Sequence, residues 1–69
     1  MYYLVGKAKN FNYYYLCFAE TNTPQMMSRG DPAIVQFVSK FKTIKAAKRF
    51  IPKIKGKYPG IVRFVVEKF

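Results

Sequence analysis

The sequence predicts a small two-layer α+β sandwich: a mainly antiparallel sheet of three or four strands with one amphipathic helix on one face, in the order β-β-β-α-β. Three observations carry this. The N-terminal region holds two aromatic-rich strand-type runs separated by Lys9-Asn10-Phe11-Asn12, whose asparagines are good turn formers. From Ile44 to Tyr58 the apolar residues recur at helical spacing. From Ile61 onward the chain returns to the two-residue alternation of a strand.

The chain has 69 residues, of which 51% are hydrophobic, with seven Phe and six Tyr. One domain covering residues 1–69 is expected. A chain this short buries only about 60% of the surface its unfolded form exposes, so one core must supply nearly all the stability. The composition is far too aromatic for a disordered basic tail.

Tyr2–Ala8 reads as the first strand and Tyr13–Glu20 as the second, joined as a hairpin. Residues 21–32 read as a long loop, with Pro24 inside it and Gly30-Asp31-Pro32 as a stop. One of Met26 and Met27 is expected to plug the edge of the core. Ala33–Val38 is expected to be a short third strand.

Thr43 then reads as the cap of the helix. Ile44, Ala47, Phe50, Ile51, Ile54 and Tyr58 fall within an arc of about 120°, at about 100° per residue, and should face the sheet. Lys45, Lys48, Arg49, Lys53 and Lys55 lie on the opposite side. Pro52 conflicts with a continuous helix because it lacks a donor and clashes with the preceding turn. A kink there is expected, or a helix ending near Ile51 with a further turn after it. Tyr58-Pro59-Gly60 ends the element. In the last strand, Ile61–Lys68, Val62, Phe64 and Val66 should form an apolar face and Ile61, Arg63, Val65 and Glu67 a mixed one. The segment from Ala33 to Val66 could place its two strands parallel through a right-handed crossover.

Several chemistries have no residues to perform them. There is no histidine, and the three carboxylates, Glu20, Asp31 and Glu67, stand apart in sequence. Gly56-Lys57 resembles the tail of a phosphate loop, but the rest of that pattern is missing. A non-enzymatic protein with no metal and no cofactor is expected. The single cysteine, Cys17, allows no internal disulfide and should behave as a small buried hydrophobe, which fits a reducing cytoplasm. The N-terminus lacks a basic signal-type region, and the longest apolar run, Tyr13–Ala19, is far short of the roughly 20 residues that span a bilayer. A soluble or at most peripheral protein is expected.

Charge is the strongest functional signal. The formal net charge is +10, eight of the thirteen Lys and Arg residues lie between Lys40 and Lys57, and no Asp or Glu occurs from Pro32 to Val66. Such a field favours acidic partners. Lys45, Lys48, Arg49, Lys53, Lys55 and Lys57 form the first candidate site, tracking a phosphate backbone. A face that only solvates the protein would mix lysine with glutamate, and this one has no acid.

The second candidate site is the sheet face turned away from the helix. There Tyr3, Lys7, Tyr13, Tyr15 and Arg63 would share space with Val5, Ile61 and Val65. Tyrosines beside cations can stack unpaired bases. One helix does not cover all of this apolar surface, so burial in a homodimer or a partner interface is the favoured reading of that face. The signature motifs of an RNA-recognition sheet are absent. Membrane attachment through the helix is disfavoured because its apolar stripe is already needed on the sheet.

The stretch Phe41-Lys42-Thr43-Ile44-Lys45-Ala46-Ala47-Lys48-Arg49-Phe50-Ile51, after a Tyr-rich hairpin and before an Ile-Val-Arg-Phe-Val-Val strand, resembles a plan found in small accessory proteins of phages and prophages of Gram-positive bacteria. The resemblance covers about half the chain, rests on pattern, and departs from those proteins in its shortage of helix acids. It implies an accessory protein that acts by binding in the host cytoplasm, and it assigns no functional residue. Nucleic acid, bound through the lysine-rich helix face, is the partner expected from the charge. The alternative is an interaction module, such as a phage-type inhibitor, docking on an acidic surface of a host protein.

Overall fold

A computed structural model describes residues 1–21, 23–30 and 32–69 and shows one antiparallel sheet in the spatial order β3-β2-β1-β4. Its strands are β1 (Tyr2–Ala8), β2 (Tyr13–Cys17), β3 (Gln25–Ser28) and β4 (Ile61–Lys68). Between β3 and β4 come a 3₁₀ segment (Pro32–Phe37) and two short helices, α1 (Ile44–Lys48) and α2 (Ile51–Lys57). This is the small α+β class that the sequence predicts.

The β1–β2 hairpin forms where expected, with Val5 opposite Tyr15 and Lys7 opposite Tyr13. In its turn the Phe11 N–H donates to the Ala8 carbonyl (3.0 Å) and the Asn12 N–H to Asn10 Oδ1 (3.2 Å). Phe11 takes φ 67°, the left-handed position that usually falls to Gly or Asn in such turns. The second strand stops at Cys17 rather than Glu20, because Phe18 also turns left-handed (φ 58°) and stacks on Phe37 at 5.4 Å.

The third strand is not where the sequence placed it. Ala33–Val38 is 3₁₀ up to Phe37, and only Val38 bridges Cys17. Strand β3 instead forms inside the expected loop 21–32, where Met26 pairs with Leu16 and Met27 with Tyr15. Met26 is the methionine that enters the core. The extended residues after the 3₁₀ segment wedge between the diverging ends of β1 and β2. There the Ser39 N–H donates to the Leu16 carbonyl, and Phe41 exchanges both backbone bonds with Tyr2. The buried Ser39 hydroxyl accepts the Ala19 N–H at 2.8 Å and so satisfies a donor that would otherwise be orphaned.

No parallel crossover forms: β4 returns antiparallel beside β1, with Leu4 opposite Val66 and Val5 opposite Val65. A register shift between Lys7 and Ala8 puts Arg63 opposite Lys7 and Ile61 opposite Ala8, leaving Val62 without a partner. Consequently Ile61 is buried in the core and Val62 is 56% exposed, the reverse of the expected alternation. Phe64 and Val66 pack on the core as expected.

The core lies between the sheet and the helices. Leu4, Leu16, Ala19, Met26, Ile54 and Ile61 form its buried cluster, with Phe50, Ile51 and Tyr58 packed against it. At Gly6 a Cβ would lie 2.8 Å from both Ile61 Cγ2 and Met26 Cε, so this position of the helix-facing surface takes only glycine without a shift. Val5 and Cys17, which alternation places on the opposite face, are fully buried as well.

Thr43 caps α1, its hydroxyl accepting the Ala46 N–H at 3.1 Å. The helical register then breaks at Arg49 and Phe50, and Pro52 sits in the first turn of α2. In an unbroken helix its ring would meet the carbonyl of Lys48, whereas a first-turn position needs no N–H. Ala47 and Ile54 are buried, but Ile44, the first residue of α1, is 44% exposed, correcting its expected place on the sheet. Replacing Pro52 with Ala should therefore leave stability unchanged or lower it by up to about 1 kcal/mol, because the proline fits its site and stiffens the unfolded chain. A thermal melt checks this; a clear rise in Tm would show that Pro52 strains the helix.

Candidate nucleic-acid interface

The helical surface carries the first group of cations. Lys45 and Lys48 lie on α1, Arg49 at its end, and Lys53, Lys55 and Lys57 on α2, and all six are exposed. These cations are thus divided between two short helices, α1 and α2. Lys53 Nζ stands 5.4 Å from the centre of the Phe50 ring, and Lys57 Nζ donates to the Pro24 carbonyl at 3.3 Å. Both line a cleft of about 430 Å³ with Thr21, Pro24, Phe50 and Ile54. Lys57 also reaches a second cleft of about 480 Å³, floored by Tyr14, Met26 and Ile61 and flanked by Lys9 and Tyr58.

The opposite face of the sheet carries the second group. Tyr3, Lys7, Tyr13, Tyr15 and Arg63 all share that face, because they occupy alternate positions of β1, β2 and β4 in matching register. Ile61, expected with them, is in the core instead. Arg29, just beyond β3, joins the group: its N–H donates to the Tyr13 carbonyl, and its Cζ lies 5.3 Å from the Tyr13 ring and 5.8 Å from the Tyr15 ring. Lys7 Nζ lies 5.3 Å from the Tyr13 ring. Tyr15 meets Tyr3 edge to face at 5.4 Å, Tyr3 meets Phe69 at 5.6 Å, and Lys40 Nζ sits 4.2 Å over the Phe69 ring. A chain of rings interleaved with cations therefore crosses this face, each contact of the edge-to-face or cation–π kind. Arg29 and Phe69 were not singled out in the sequence; Arg29 stood in what read as a loop.

The described carboxylates lie away from the hairpin end of the sheet. Glu67 is opposite Tyr3, and Glu20 follows the far end of β2 and approaches the Ser39 hydroxyl at 3.5 Å. Asp31 lies outside the described residues. The Tyr3 hydroxyl donates to Glu67 Oε1 at 2.8 Å. Burial first, then this hydrogen bond and the Glu67 charge, push the Tyr3 phenol up to about 12 from an ordinary 10. Burial, with a smaller push from Glu20, also raises the Cys17 thiol. Cys17 is thus the inert core residue expected from the sequence.

A raised phenol favours the neutral form in the folded state. Its stabilising contribution is complete below pH 10 and is lost as the pH rises through about 12. In an alkaline titration of tyrosinate absorbance, the Tyr3 step should fall near pH 12. Glu67→Gln should move that step toward the ordinary value. An unmoved step would dissociate the Tyr3 titration from Glu67.

Among the described residues, no group of three or more His, Cys, Asp or Glu comes together to hold a metal ion. No helix among them is long and apolar enough to cross a membrane. The chain matches no protein-family model, no curated protein and no solved structure.

Proposed function

We propose that this chain is a non-enzymatic nucleic-acid-binding module whose lysine-rich helical surface contacts the phosphate backbone. The observation that carries the reading is the exposed set Lys45, Lys48, Arg49, Lys53, Lys55 and Lys57, in a stretch with no Asp or Glu from Pro32 to Val66. Like charges this dense repel one another in the free protein, and a polyanion relieves that repulsion. Contacts of this kind go to phosphate oxygens, so binding would be only weakly sequence-specific and strongly salt-dependent. The lack of histidine and the scattered carboxylates support the non-enzymatic part of the reading.

Fluorescence-anisotropy titration with labelled single-stranded and duplex oligonucleotides at ~150 mM salt tests it. Micromolar or tighter binding is expected. Binding confined to much lower salt would reject nucleic acid as the partner and turn attention to an acidic protein surface.

A further inference from the structure

The sheet face turned away from the helices deepens this reading and rests on it. At the hairpin end, Lys7 stands directly opposite both Tyr13 and Arg63, and Arg29 flanks Tyr13 from the other side. Two like charges directly opposite on neighbouring strands oppose folding. The described carboxylates, Glu20 and Glu67, lie at the other end of the sheet and do not offset them. A second observation is independent of charge. Phe11, at the tip of the same hairpin, is 88% exposed and left-handed, so a bulky residue holds a disfavoured backbone conformation without gaining burial.

We infer that this end of the sheet is a single-stranded nucleic-acid site, with unpaired bases stacking on Phe11 and Tyr13 and phosphates lying along Lys7, Arg29 and Arg63. Every base has a ring face to stack, so such a site tolerates sequence, while a duplex keeps its base faces covered. The helical cations would serve either form of nucleic acid; the sheet site would serve only the unpaired one. A second copy of the chain suits this surface less well. Two such faces brought together would set Lys7, Arg29 and Arg63 of both copies against only Glu67 of each among the described residues, and juxtaposed like charges disfavour association.

The test compares a fluorescein-labelled oligothymidine of about 12 nucleotides with a duplex of the same length, at ~150 mM salt. Tyr13→Ala and Phe11→Gly should each weaken oligothymidine binding by roughly fivefold or more and leave duplex binding unchanged. Tyr13→Phe, which keeps the ring, should retain the affinity. Phe11→Gly relaxes the left-handed turn, so an equal or higher Tm together with weaker binding would exclude misfolding as the cause. Oligothymidine affinity unchanged in both ring-removing variants, or an equal loss for both probes, would overturn the sheet site alone. If the unaltered protein bound neither probe, the broader nucleic-acid reading would fall with it. A concentration-dependent dimer that Tyr13→Ala abolishes without altering oligothymidine affinity would give this face to a second copy and overturn the proposal.

Discussion

Leu4→Ala should remove a large share of this protein's stability. Leu4 sits on the central strand β1, fully buried in the cluster that joins the sheet to α2, with Val66 directly opposite it on β4. Truncation removes its transfer energy and leaves a cavity, at about 2–5 kcal/mol. At roughly 0.05–0.15 kcal/mol per residue, a chain of this length has a total stability of about 3–10 kcal/mol. In a domain of this size each kcal/mol shifts Tm by about 4–8 °C, so a fall of at least about 10 °C is expected. A thermal or denaturant melt by circular dichroism checks it. The control is Val62→Ala, at the exposed bulge position of β4, which should change stability by no more than about 0.5 kcal/mol. Similar losses at the two sites would contradict the core described above.

The second large effect concerns binding. The side chains of Lys45, Lys48 and Lys55 are exposed and make no hydrogen bond or ring contact with a described residue, so their neutralisation should not disturb the fold. Each phosphate neutralised contributes about 0.9 to the slope of log affinity against log salt, which near ~150 mM corresponds to about 0.7 log units of affinity. The triple replacement Lys45→Gln, Lys48→Gln and Lys55→Gln should therefore weaken duplex binding by roughly 100-fold and flatten its slope by about 2.7, and weaken single-strand binding by roughly 50-fold with a slope change of about 2.1. Lys53 and Lys57 are poorer choices, because Lys53 touches Phe50 and Lys57 bonds to the Pro24 carbonyl. A triple variant that bound as tightly as the parent would move the interface off the helices.

Both surfaces could be read from the sequence to different depths. The helix cap at Thr43, the burial of Ala47 and Ile54, and the solvent position of the lysines follow from local spacing and a single hydroxyl, so they were legible. The grouping of Tyr3, Lys7, Tyr13, Tyr15 and Arg63 on one face was legible too, since it needs only alternation along paired strands. What escaped depends on partners distant in the chain. Residues 25–28 carry too short a pattern to announce a strand, and become one because Leu16 and Tyr15 offer Met26 and Met27 an edge to pair with. Ala33–Val38 is apolar enough for a strand, but Val38 alone finds a bridge, to Cys17. The bulge at Val62 arises from the register against Lys7 and Ala8, which no alternation within β4 could reveal. Arg29 reached the sheet face only because β3 formed, and the left-handed turn at Phe11 has no marker in a sequence where glycine or asparagine would be the usual signal.

The measurement that bears most directly on the central claim is the affinity for a duplex oligonucleotide across ~50–300 mM salt, read by fluorescence anisotropy. If four to six of the helical cations each neutralise a phosphate, log affinity falls linearly with log salt with a slope of about −4 to −5, and binding persists at ~150 mM. A shallow slope, or affinity that vanishes just above the lowest salt, would mean that the helical lysines only attract polyanions in general and that the protein's partner is not nucleic acid.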